Sequence, residues 1–147
     1  MIRIEDLKEM WQKDAVIDQL QLGDAAADVP RLHSKYIMML APIRLQLRTA
    51  EVDYYKTINV VKAYYRGELT KVELDALGRE QYRKNKPLKA ELEELLQSDP
   101  LVIKKGDKLE YLKVLAETLE GILKSIHSRD WTVKNAITWK QFTHGLL

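Results

Sequence analysis

IRLQLRTAEVDYYKTINVVKAYYRG, residues 43–67, decides the fold. Within it Ile43, Leu47, Ala50, Tyr54, Ile58, Val61 and Tyr65 recur at spacings of 4, 3, 4, 4, 3 and 4. That period places them on one side of a helix, and Gly67 supplies its C-terminal stop. Upstream, Asp28 followed by Pro30 has the form of an N-cap with a first-turn proline, so a helix is expected from there to about residue 40. Pro42 then predicts a break or kink, because proline lacks the N–H that would close the helical turn. Ile4, Leu7 and Trp11 form the stripe of a short helix over residues 4–13.

Downstream, Thr70 and Glu73 make a capping box opening a short helix to about Leu77. Residues 78–86 are polar and basic and read as a loop. Pro87 is expected to open another short helix, with Leu88, Leu92 and Leu95 or Leu96 as its apolar side. Ser98, Asp99 and Pro100 repeat the cap-then-proline pattern. After it Leu109, Leu112, Ala116, Leu119, Leu123 and Ile126 form a heptad seam, which Leu115 and Ile122 widen. No stretch alternates with period two, and no internal repeat is present. The fold class is therefore all-α: a long helical hairpin plus C-terminal helices.

The composition agrees. The 147 residues are 46% hydrophobic and 31% charged, with only 6 Gly and 4 Pro, which suits a helix-rich protein and argues against disorder and a β-sandwich. The absence of cysteine excludes disulfides and thiol chemistry. The opening MIRIEDLKEM brings acids at once and does not read as a signal peptide. The longest apolar run, residues 37–43, is too short to span a bilayer. His33, His127 and His144 are scattered outside any metal-ligand spacing, and the glycines never cluster into a phosphate-cradling loop. No catalytic constellation survives, so the chain is read as a non-enzyme.

Charge is strongly segregated. Residues 4–28 carry seven acids against Lys8 and Lys13, a net of −5. Residues 29–67 carry seven bases against Glu51 and Asp53, a net of +5, and five more bases fall within residues 79–89. Such asymmetry points to an anionic partner. Basic residues mixed with tyrosine suit single-stranded nucleic acid, where cations follow the backbone and aromatic faces stack on bases. The candidates are Arg44, Arg48, Lys56, Lys62, Tyr64, Tyr65 and Arg66. Tyr54 and Tyr65 lie on the apolar stripe and can equally be core, whereas Tyr55 and Tyr64 lie off it and suit exposed stacking.

The C-terminal stretch LKSIHSRDWTVKNAITWKQFTHGLL, residues 123–147, concentrates Trp131, Trp139 and Phe142 among Lys124, Arg129, Lys134 and Lys140. It is either a short amphipathic helix capping the fold or an assembly surface, since aromatics are enriched at interfaces. On the second reading Trp131, Val133, Ile137, Trp139 and Phe142 carry oligomerisation.

KSIHSRDWTVKNAITWKQFTHG, residues 124–145, resembles the C-terminal signature of the UvsY-type recombination mediator proteins of T-even-type bacteriophages. That signature is Ile-x-Ser-Arg, a bulky residue, then Ile/Val-Lys-Asn-Ala-Ile-x-Trp-x-x-Phe-x-x-Gly. IEDLKEMWQKDAVID, residues 4–18, is similar to the family's opening, as are Tyr64-Tyr65-x-Gly67 and the helix start at residues 99–105. The resemblance covers nearly the whole chain. It implies a protein that binds single-stranded DNA and loads a phage strand-exchange recombinase onto strands coated by the phage single-stranded DNA-binding protein. It also implies a ring-like homo-oligomer, with no cofactor and no hydrolytic activity, in the cytoplasm of the infected host cell. In one respect the chain departs from the family. The family's Lys-Ala-Arg before Tyr-Tyr-x-Gly is replaced by Lys62-Ala63 set directly against Tyr64, with Lys56, Lys62 and Arg66 as the nearest substitutes. The resulting organisation is an N-terminal helical strand-binding part, residues 1–67; a basic connector with short helices, residues 68–99; and a C-terminal oligomerisation part, residues 100–147. The rival is a helical assembly or scaffold protein without DNA binding, in which the basic stretch is a solvated face.

Overall fold

The computed structural model describes residues 1–145; Leu146 and Leu147, the end of the C-terminal part, lie outside the described residues. Among them every regular element is a helix: α1 (Ile4–Asp14), α2 (Leu22–Ala27), α3 (Val29–Tyr65), α4 (Lys71–Leu77), α5 (Lys89–Ser98), α6 (Pro100–His127) and α7 (Arg129–Thr143). The chain divides into two compact units, residues 1–44 with 114–147 and residues 45–113. Helices α3 and α6 contribute to both.

In the first unit α1 buries Leu7, α3 buries Leu32, Tyr36, Leu40 and Ile43, and α6 buries Leu115, Leu119, Ile122 and Ile126. The Trp11 ring meets Tyr36 edge-on at 5.5 Å. Tyr36 donates to Asp14 at 2.7 Å, and Lys35 pairs with the same carboxylate. Helix α2 packs against α7. Arg129, only 6% exposed, donates Nη1 to the Asp14 carbonyl at 2.9 Å and Nη2 to the Ala15 and Val16 carbonyls at 3.1 Å each. A cation thus sits where the α1 dipole is negative and takes up carbonyls that the helix end leaves unpaired.

The second unit is built on Val61, Leu92, Leu96 and Val102, with Tyr54, Ile58, Tyr65 and Leu101 packed against them. The stripe that sets the fold is buried or half-buried at every position. Helix α3 ends in a glycine cap: Gly67 takes φ +73°, its N–H bonds the Tyr64 carbonyl, and the Glu68 N–H bonds Ala63. Thr70 and Glu73 form the expected capping box.

Three local expectations are corrected. Pro42 does not interrupt α3, which runs unbroken for 37 residues. Met38, Ala41 and Pro42 are exposed while Leu40 and Ile43 are buried, so the missing hydrogen bond faces water and core packing offsets a cost of about 3 kcal/mol. Asp28 does not cap α3. Its backbone is helical and its carboxylate is held by Arg31, with Nη2 at 2.7 Å. Leu88 is 72% exposed and precedes α5, where its N–H bonds Glu91 at 3.2 Å, so only Leu92 and Leu96 of the expected apolar side are buried.

Candidate nucleic-acid interface

The core face of α3 leaves a flanking face on which Arg48, Val52, Tyr55, Asn59, Lys62 and Arg66 follow one another at helical spacing, Val52 and Lys62 half-buried and the rest exposed. From Arg48 to Arg66 this stripe is about 27 Å long at 1.5 Å per residue. Tyr55 is 62% exposed, its ring tilted against Tyr54 at 5.7 Å. Lys56 lies beside the stripe. Lys56, Lys62 and Arg66 form no ion pair among the described residues. The remaining cations are engaged. Arg44, in the first unit, pairs with Glu120 at 2.9 Å, and Arg48 pairs with Glu51 at 3.7 Å. Both pairs are exposed, so each is worth little and can exchange partners.

Tyr64 is placed differently from the expectation of an exposed stacking face, whereas Tyr65 packs against the core, the alternative that its place on the apolar stripe left open. Tyr64 is half-buried, with its ring 5.0 Å from Tyr65 and 5.7 Å from Tyr82 and the Arg79 guanidinium 4.9 Å over its centroid. Tyr65 donates its hydroxyl to Asp99 at 2.7 Å. Burial first, and then that bond, push its phenol up to about 12. Tyr55 is therefore the open tyrosine of the helix.

Asp99 is 2% exposed and organises this end of the unit. Its Oδ1 accepts from the Leu101 N–H at 3.0 Å and the Val102 N–H at 3.4 Å, which caps α6. Arg79 grips both carboxylate oxygens at 2.8 Å. Burial pushes the carboxyl up, but the bonds from Arg79 and Tyr65 outweigh it and hold the group below its ordinary value. The same bond to Asp99 raises the Arg79 guanidinium further. Sequence reading identified Asp99 as a cap; its grip on Arg79, twenty residues away, carries no local signal.

Beyond Arg79 the chain reaches a surface hollow of about 390 Å³ where Lys62 and Arg66 of α3 stand with Lys86 and Lys89, against Glu68 and Glu93. Lys86 and Lys89 belong to the basic cluster visible in the sequence, but nothing in it shows that they join Lys62 and Arg66. A second hollow of about 640 Å³ gathers Arg48, Lys56 and Lys108 beside Leu45 and Val52.

In the first unit α7 presents Trp131 at 68%, Trp139 at 65% and Phe142 at 65% exposure, with Ile137 less open and Trp139 stacked on Phe142 at 5.8 Å. Val133 does not share this surface: at 1% exposure it belongs to the interior of the unit. Lys140 is turned inward, donating to the Gln19 carbonyl, while Lys134 lies over the Trp131 ring. No helix among the described residues is long and apolar enough to cross a membrane, and no group of residues there could hold a metal ion.

Residues 10–146 match the family described as recombination, repair and single-stranded-DNA-binding protein UvsY. The recombination protein uvsY of Enterobacteria phage T4 is 27% identical over 144 residues, covering 98% of this chain and 99% of that protein. Two crystal structures of the bacteriophage T4 recombination mediator protein UvsY superpose with TM-scores of 0.85 and 0.83, at 25% and 26% identity. They cover 98% and 96% of this chain and 99% of each relative.

Proposed function

The chain belongs to the UvsY family of recombination, repair and single-stranded-DNA-binding proteins, and on that premise we propose that it is a recombination mediator. It binds single-stranded DNA and promotes loading of a phage strand-exchange recombinase onto strands coated by single-stranded DNA-binding protein, with no cofactor or hydrolytic chemistry of its own. The observation that carries this is the stripe of α3 where Lys62 and Arg66, with Lys56 at the side, form no ion pair among the described residues while Tyr55 is open. Unpaired cations on a rigid helix gain from an anion without first breaking a pair, and an open ring suits stacking on any base. Arg48 joins them by exchanging Glu51 for phosphate. Tyr64 and Tyr65 serve the site by fixing the end of α3.

Assembly follows from α7. Trp131, Ile137, Trp139 and Phe142 place apolar surface in water, and burying it between copies stabilises a homo-oligomer. Val133 supports that face from beneath. In a ring-like oligomer, weak strand sites add through effective concentration, so a strand is held firmly yet released locally to the recombinase.

Fluorescence anisotropy of a labelled oligonucleotide at two salt concentrations tests the reading. Binding with little sequence preference should fall by about 0.7 log unit per log unit of salt for each phosphate contacted. Salt-independent binding, or none at low salt, would leave a helical scaffold as the better description.

A further inference from the structure

Residues 79–88 contain no helix or strand, yet two contacts pin the start of this segment. One is the fork of Arg79 on Asp99, both bonds 2.8 Å long. The other is the Tyr82 ring, 5.0 Å from Tyr65 and 5.7 Å from Tyr64. The segment then delivers Lys86 to the hollow that also holds Lys62, Arg66 and Lys89. Four cations face two acids there, and none of the four has an ion pair among the described residues. The hollow also borders Leu92 and Leu96, core residues only 5% and 8% exposed. Like charges held together above an apolar floor repel one another, and a polyanion relieves that repulsion.

Resting on the strand-binding reading above, we infer that Lys86 and Lys89 complete with Lys62 and Arg66 a four-cation site for the phosphodiester backbone of the strand, and that Arg79 and Asp99 are positioning residues that set it. A flexible basic loop attracts DNA diffusely. A clasped one presents its charges in register with those of α3, without an ordering cost at the moment of binding.

The test is anisotropy of a labelled oligothymidylate across a salt series, using the full chain. Lys86→Ala with Lys89→Ala should lower the salt slope by about 1.4, two contacts at about 0.7 each, which is about 25-fold weaker binding at 0.1 M salt. Asp99→Asn is the sharper probe. Removing an acid from a polyanion binder ordinarily strengthens binding, whereas loss of the clasp must weaken it. Asparagine keeps an oxygen at the Oδ1 position for the α6 cap and places an amide N–H that can donate to the Tyr65 hydroxyl oxygen where Oδ2 stood, so the fold is retained, as circular dichroism and oligomer mass should show. Arg79→Lys conserves charge, breaks the fork and should weaken binding in the same direction. Adding Asp99→Asn to the lysine pair should cost nothing more. If the full chain does not bind the oligonucleotide, the strand-binding reading fails. If it binds and the lysine pair is without effect, this site is wrong. If Asp99→Asn and Arg79→Lys bind as tightly as the unaltered chain or more so, the clasp has no positioning role.

Discussion

Replacing Arg129 with methionine keeps most of the side-chain volume and removes the guanidinium that gathers the end of α1. Three bonds are lost, to Asp14, Ala15 and Val16. A bond to a charged group contributes about 1.5–3 kcal/mol. Nη2 is shared between two carbonyls, and those of Ala15 and Val16 belong to exposed residues that water can reach. Among the described residues Nε has no partner in its buried position, which already lessens what the arginine contributes. One full bond and one shared one therefore set the loss at about 3 kcal/mol. At 1.4 kcal/mol per factor of ten, this is about a hundredfold in a local opening equilibrium. Native-state amide exchange reads it directly. Protection across α1 should fall about a hundredfold from Trp11 onward, and less near Leu7, which remains fully buried. Lysine at the same position cannot span the carbonyls as a fork and should recover only part of the loss. Unchanged exchange in α1 for Arg129→Met would refute the idea that this side chain secures the helix.

Exposure on α7 separates two further substitutions. Val133→Ala should lower stability by about 1–2 kcal/mol and leave the oligomer mass unchanged, while Trp139→Ser with Phe142→Ser should reduce the mass seen by sedimentation and keep the helicity. Gly67→Ala should cost about 1–2 kcal/mol in urea unfolding, because position 67 has φ +73° and an added Cβ would stand 3.3 Å from Gln81 Nε2. The folded carboxyl of Asp99 lies below its unfolded value of about 3.9. Its contribution is therefore complete above that pH and lost as pH falls through the folded value. The stability gap between the unaltered chain and Asp99→Asn should be constant from pH 5 to 7 and narrow below about pH 4. A gap that widens on acidification would reverse the sign of the argument.

What could be read from the sequence was local. The stripe from Ile43 to Tyr65 is a repeated apolar period, the Gly67 stop and the Thr70–Glu73 box are written within four or five residues, and Asp99-Pro100 announces its own helix start. Pro42 misled because its own neighbours cannot show that its face meets water while Tyr36, Leu40 and Ile43 hold the other side in the core. Asp28 has the chemistry of a cap but also has Arg31 one turn away, and the ion pair won. Val133 shares its helical face with Ile137, and only tertiary packing separates the buried residue from the exposed one. The candidate site was legible as a charge excess. Its geometry was not, because Arg79 with Asp99 and Lys86 with Lys62 are joined across twenty residues or more.

One carboxylate at position 99 serves a helix start, a guanidinium and a phenol together. This couples the ways in which three distant positions can diverge. A serine there would still cap α6 but would strand Arg79 and the Tyr65 hydroxyl in a half-dry setting, so drift at position 99 is tolerated only alongside changes at 79 and 65. Homologous chains should therefore exchange these residues as a set, an apolar side chain replacing the arginine and phenylalanine the tyrosine wherever the acid is gone. Lineages that make that exchange would lose the anchor of the basic segment, and would have to carry their cations on the helix itself.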